Sequence, residues 1–144
     1  MDTEIRQATR EDYAQIAALL LSASLPTEGV EGHLQHFLVA EYSGALVGAI
    51  GLEVYGETAL LRSAAVSSSL RNKGLGTLLY DQLIEHAKSL GIRRLILLTT
   101  TAERFFGQKG FQKIDQQLVT GPIRQSVEFR GACPSTAVCM ELKL

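Results

Sequence analysis

Excess positive charge, cysteine and long apolar runs are all scarce in this sequence. Its formal net charge is −1 over 144 residues. Proteins that wrap nucleic acid carry a basic excess that releases counterions from phosphates. No nucleic-acid partner is therefore expected, and any anion site must be local. The longest apolar stretches, around Ala17–Leu21 and Leu95–Leu98, are far too short to span a bilayer. Met1–Asp12 is polar and mixed in charge, without the apolar core of a signal peptide. The chain reads as cytoplasmic, with no membrane partner. Cysteine occurs only at Cys133 and Cys139. A reducing cytosol disfavours a disulfide, and two thiols six residues apart with no nearby histidine make a poor zinc site. No metal is expected, and both cysteines read as small buried apolar residues. Repeats, low-complexity stretches and dividing linkers are also missing, so residues 1–144 read as a single domain.

What is present is a regular alternation of elements. Ile5–Ala8 reads as a first strand. Thr9 is a good N-cap for a helix with Glu11 and Asp12 in its first turn and Ile16, Leu19, Leu20 and Ala23 at helical spacing. Leu25–Gly29 breaks it, and a short helix is expected near Glu31–Gln35. Phe37–Tyr42, Ala45–Tyr55 and Thr58–Ser67, separated by Ser43-Gly44 and Gly56-Glu57, form a three-stranded meander. Leu75, Leu79, Leu83 and Ala87 then mark an amphipathic helix that Gly91 stops. Ile92–Thr99 is apolar past Arg94 like a strand buried on both faces, and the crossover places it parallel to the strand before the glycines. Thr100 and Glu103 have capping-box spacing for a short helix to Gln108. Gln112–Thr120 and Thr136–Lys143 read as final strands around an irregular insert, Pro122–Phe129. The expected fold class is α/β: a mixed sheet of about seven strands with helices on both faces.

The informative segment is Val66-Ser67-Ser68-Ser69-Leu70-Arg71-Asn72-Lys73-Gly74-Leu75-Gly76-Thr77. A strand ends, basic residues follow, and two glycines open a helix. N–H groups at a helix start lack intrahelical partners and, with the helix dipole, attract anions. Gly74 and Gly76 let a bulky diphosphate approach, and Arg71 and Lys73 can add charge-assisted contacts. A P-loop needs lysine where Thr77 stands. The dinucleotide fingerprint needs a third glycine where Leu79 stands.

At this point the sequence resembles the GNAT superfamily of N-acetyltransferases over nearly its whole length. The family signature Gln/Arg-x-x-Gly-x-Gly/Ala is matched by Arg71, Gly74 and Gly76, and a short helix runs into the Gly-Phe pair Gly110-Phe111. Shorter stretches, among them Leu25-Pro26-Thr27-Glu28, Leu60-Leu61-Arg62-Ser63 and Cys133-Pro134, look like small acetyltransferases of bacterial arsenic-resistance operons and like short amino-acid N-acetyltransferases. The resemblance implies a GNAT-type, mostly antiparallel sheet whose strand at Ala64–Val66 splays from Ile92–Thr99. Acetyl-CoA, the acyl donor, would bind there through Ala65, Val66, Arg71, Asn72, Lys73, Gly74, Gly76, Thr77, Thr99 and Phe106. Two positions depart from the family pattern. Phe106 stands where many members have a tyrosine that protonates the departing thiolate, and Thr99 where many have a cofactor-contacting asparagine. Water, Tyr55 or Tyr80 could supply the acid, although Tyr80 reads as a packing or surface residue.

The expected reaction is direct transfer of acetyl to the primary amine of a small molecule, an amino acid or an amino-acid-like toxin, in which arsenic is one option. Glu53 is the candidate base, directly or through water; its plainer reading is a solvent-facing strand carboxylate. Arg62 lies in an apolar run and needs a carboxylate partner, either on a substrate or on Glu53. His33 and His36 read as surface residues and His86 as incidental. The rivals are an acetyl-CoA sensor without turnover, suggested by Phe106, a protein-lysine acetyltransferase, and a domain for another nucleotide. A homodimer that completes the pocket stays open.

Overall fold

The structure, a computed structural model, describes residues 3–144. Strands β1 (Thr3–Gln7), β2 (Phe37–Tyr42), β3 (Ala45–Tyr55), β4 (Thr58–Val66), β5 (Arg94–Thr99), β6 (Gln112–Ile114) and β7 (Val138–Lys143) form one sheet in the order β1-β2-β3-β4-β5-β7-β6. Only β4 and β5 are parallel; every other neighbouring pair is antiparallel. Between β4 and β5 lies helix α2 (Leu75–Ser89), the crossover that a parallel pair requires. Helix α1 (Tyr13–Ser22) follows a single tight turn, and α3 (Glu103–Gln108) follows β5.

Each face of the sheet has its own apolar layer. On one face Leu75, Leu79, Tyr80, Leu83 and Ala87 of α2 pack on Ile50, Leu52, Leu61, Leu95 and Leu97, joined by Phe106 and Phe111. On the other face Ile16, Leu19 and Leu20 of α1 pack on Phe37, Val39, Ala49 and Ala65. Further along, Val119 and Ile123, both in the segment between β6 and β7, cover Leu60, Ile96 and Cys139. Glycine is required at Gly51, where a Cβ would come within 2.3 Å of the Phe37 ring.

Several element boundaries differ from the sequence reading. The sixth strand ends at Ile114 rather than Thr120, because the Asp115 carboxylate accepts from the Gln117 N–H at 2.9 Å and turns the chain. The last strand starts at Val138. Thr9 heads the tight turn Arg10–Asp12 rather than the α-helix itself, and its N–H donates to Asp12 at 2.8 Å. The capping box expected for α3 does not form: its N-cap is Ala102, without a side-chain cap bond, and the Thr99 hydroxyl accepts from the Ala102 N–H at 2.9 Å.

Two irregularities shape the centre of the sheet. Pairing between β4 and β5 runs only from Thr58↔Arg94 to Leu60↔Ile96; beyond that point the two strands part. Just past it, the β3–β4 register moves from Gly51↔Arg62 to Ala49↔Ala65, so Ser63 and Ala64 together face Ile50. This is a β-bulge. Ser63 has φ +63°, a left-handed backbone that costs about 1–3 kcal/mol for a non-glycine residue and concentrates at functional sites.

Candidate active site

Where β4 and β5 separate, the sheet holds a cleft of about 730 Å³. One wall is Leu61–Val66, the other Leu97–Ala102, and Arg71, Asn72 and Gly76 line it beyond Val66. Past Leu60, β5 no longer supplies ladder partners for β4, so main-chain groups of β4 are free to meet an extended ligand.

The glycine turn enters this cleft from local chemistry. Asn72 (φ +66°) and Gly74 (φ +83°) both take left-handed conformations, which asparagine tolerates and glycine adopts freely. They swing the chain into α2, whose first internal bond within the turn is Leu78 N–H to Gly74 C=O at 3.1 Å. The N–H groups of Leu75, Gly76 and Thr77 precede it and have no helical acceptor. Packing does not demand glycine at 76: a Cβ there would sit 3.9 Å from its nearest neighbours, Phe105 and Val66. Close approach of a ligand would. The Arg71 guanidinium folds back on the Val66 carbonyl, with Nε at 3.2 Å. This donor set suits a diphosphate followed by an extended amide chain.

Of the residues singled out from sequence, Arg62, Ala65, Val66, Arg71, Asn72, Gly76, Thr99 and Phe106 share this one cleft. Gly74 shapes the turn without lining it, Lys73 is exposed, and Thr77 Oγ1 accepts from Lys109 Nζ at 3.2 Å. Phe106 is buried among Phe105, Phe111 and Tyr80. Glu53, Tyr55 and Tyr80 are not on its wall. Burial pushes the Tyr80 hydroxyl up to about 12.

Glu53 and Arg62 form a buried pair. Leu60 stands opposite Glu53 in the ladder, so Arg62, two residues further, shares its face diagonally. Arg62 Nη1 lies 2.7 Å from Glu53 Oε2, and Tyr55, two residues along β3, donates to Oε1 at 2.5 Å. Glu53 is therefore not a solvent-facing carboxylate; it is 1% exposed. Burial pushes its carboxyl up, but hydrogen bonds from Tyr55, Arg62 and Ser126 prevail and hold it below the ordinary range. The rest of the Arg62 fork is also engaged: Nη2 donates to the Pro26 carbonyl at 3.2 Å and Nε to Ser63 Oγ at 3.0 Å.

The sequence reading missed Glu128, which lies in the insert between Val127 and Phe129. It is 5% exposed and lines the cleft, with Oε2 3.3 Å from Arg62 Nε. Its other oxygen, Oε1, is buried without a hydrogen-bond partner. Burial pushes the carboxyl up to about 7, against the pull of Arg62. An acid set between two apolar residues was the one available signal. The histidine and cysteine readings also change. His33 and His36 are half-buried, His33 Nε2 lies 3.9 Å from Glu53, and His36 and His86 face each other at 3.2 Å. Cys139 is core, whereas Cys133 is on the cleft wall. Among the described residues no cluster of three or more His, Cys, Asp or Glu is placed to hold a metal, and no helix is long and apolar enough to cross a membrane.

Residues 3–111 match the Acetyltransferase (GNAT) family. The chain belongs to that family. It thereby has the fold of the acyl-CoA-dependent N-acetyltransferases, whose acyl donor is acetyl-CoA. An amino-acid acetyltransferase of Neisseria meningitidis serogroup A is 32% identical over 88% of this chain and 31% of its own length. An uncharacterised N-acetyltransferase of Chlorobaculum tepidum is 27% identical over 99% of this chain and 95% of its own. The N-acetylglutamate synthase of Neisseria gonorrhoeae, solved with coenzyme A and N-acetyl-glutamate, superposes with TM-score 0.83 at 26% identity, over 100% of this chain and 35% of that one. This GNAT chain thus spans about a third of the amino-acid acetyltransferases it matches.

Proposed function

We propose that the protein transfers an acetyl group from acetyl-CoA to the primary amine of a small molecule, an amino acid or an amino-acid-like compound, by direct attack. The observation that carries this is the cleft between β4 and β5, with the glycine turn of α2 at its mouth and a buried carboxylate–arginine cluster near its root. The names of the Neisseria relatives support the substrate class, and an arsenic-bearing amino-acid analogue falls within it. Two free thiols suit a reducing cytosol, where we place the protein.

Acetyl-CoA supplies an acyl group already activated as a thioester. The N–H groups at Leu75–Thr77 and the Arg71 guanidinium hold the diphosphate. The edge of β4 that β5 leaves unpaired, near Ala65 and Val66, aligns the pantetheine arm, with Thr99 and Phe106 on the surrounding walls. Main-chain donors beside the bulge polarise the acyl carbonyl. Holding amine and thioester together supplies most of the acceleration, on the order of 7–11 kcal/mol. A covalent enzyme intermediate has no activated nucleophile to form on: burial pushes the Cys133 thiol up to about 12. Phe106 favours the sensor reading, since it donates no proton to a leaving thiolate.

Thermal unfolding with acetyl-CoA, against ATP and NAD, tests the donor assignment. Ligand at about 100 times Kd adds roughly 2.7 kcal/mol, which for a chain of this size raises Tm by several degrees. A rise with acetyl-CoA alone is expected. Equal rises with ATP or NAD would overturn the assignment. Turnover across the standard L-amino acids, their methyl esters and n-alkylamines then separates the enzyme from the sensor.

A further inference from the structure

Resting on that reading, we propose that Glu128 is the residue that receives the acceptor's ammonium group in the cleft and takes its proton. The assignment rests on three observations. Among the residues lining the cleft, Glu128 is the one acid, and neither histidine, lysine nor tyrosine shares the wall. Its carboxylate is 5% exposed, with one oxygen turned to Arg62 and the other without a partner. A buried polar atom left unsatisfied needs an explanation, and a three-donor ammonium group supplies one. Finally, Glu53 is already held by Arg62 and Tyr55 and lies off the cleft wall.

The charges favour the same occupant. With Glu128 ionised, the cluster Glu53, Arg62, Glu128 carries one net negative charge and attracts a cation. With Glu128 protonated it is neutral and releases it. Burial opposes the ionised form most, joined by Glu53 and Glu28, while Arg62 and a hydrogen bond from Cys133 favour it. Burial raises a carboxyl and lowers an ammonium, so the two are drawn together inside the cleft. In the transfer, one ammonium proton passes to the Glu128 carboxylate. The freed nitrogen forms the C–N bond at the acyl carbon as the C–S bond breaks, the sulfur leaving with the electron pair. The sulfur takes a second proton from the nitrogen, through water, and Glu128 returns the first to solvent. Arg62 is the positioning residue: it fixes Oε2 and leaves Oε1 for the substrate.

The test is Glu128→Gln, which keeps the shape and removes the base, assayed with acetyl-CoA and the amine from the panel that turns over best. Three results are expected: an unchanged Tm rise with acetyl-CoA, a fall in kcat/KM of roughly 10²–10⁴-fold, and a changed pH profile. The wild-type rate should climb through about pH 7 and level off. The variant should instead gain about tenfold per pH unit toward the amine's own pKa. A variant within about threefold of wild type that keeps the limb near pH 7 overturns the Glu128 assignment and leaves the acetyltransferase reading standing. A wild-type protein that binds acetyl-CoA but acetylates no amine overturns both. A Tm no lower than wild type above pH 7 excludes simple unfolding of the variant.

Discussion

The two ends of the cleft are built by different rules. The glycine end comes from one contiguous stretch, Val66 to Thr77, and presents mainly backbone N–H and C=O groups. The carboxylate end comes from side chains of Glu53, Arg62 and Glu128 and the carbonyl of Pro26, drawn from four separate parts of the chain. A backbone site tolerates change in most side chains but requires glycine at set positions. A side-chain cluster depends above all on its shared cation, Arg62, because without it the buried carboxylates are left alone.

The sharpest way to break the comparison is Arg62→Met. It strands Glu53 and Glu128 without their shared cation and should cost about 3–5 kcal/mol, read from urea unfolding. Since single domains hold only about 5–15 kcal/mol in total, the variant should be barely folded. Arg62→Lys should not restore it, because a lysine cannot reproduce the fork that meets both carboxylates.

The two acids of that end should respond to pH in opposite senses. Glu53 is depressed when folded, so its stabilisation is present above its unfolded value, near 4.5, and is lost as pH falls below it. Glu128 is raised, so the fold is favoured below about 4.5 and loses that contribution as pH climbs through about 7. Relative to wild type, Glu128→Gln should therefore be more stable at pH 8 than at pH 5, by on the order of 3 kcal/mol. Urea midpoints at the two pH values would check it, and a constant difference would count against a raised Glu128.

At the glycine end, Gly76→Val should leave Tm within a few degrees, since there is room for a Cβ. Yet it should weaken acetyl-CoA about a hundredfold or more, roughly 2.7 kcal/mol, read as loss of the thermal shift. The smallest effect belongs to Thr99→Val. Its hydroxyl already accepts from the Ala102 N–H, so about 1 kcal/mol of stability should go with that hydrogen bond, with less than threefold change in acetyl-CoA affinity by calorimetry.

The contrast also explains what could be read in advance. Strand alternation, the α2 stripe and the Arg71–Gly76 spacing are local patterns, so the seven-stranded sheet and the cleft's glycine end were legible before any coordinates. The Arg62–Glu53 contact was legible as one of two alternatives, because two meander strands bring those residues close. Glu128 was not. It arrives through an insert with no period, and only tertiary packing places it beside Arg62. The same holds for Asp115, whose side chain ends β6 earlier than the apolar residues beyond it suggest, and for the His36–His86 contact across two elements.

The short pairing between β4 and β5 has a consequence for self-association. Bare strand edges are templates for aggregation, and β4 carries one along most of its length in the middle of its own sheet. Because β5 stands across the gap, a second folded copy cannot dock there. Only a thin, extended chain can reach it. The protein thus keeps a sticky edge available to a narrow ligand while hiding it from its own kind.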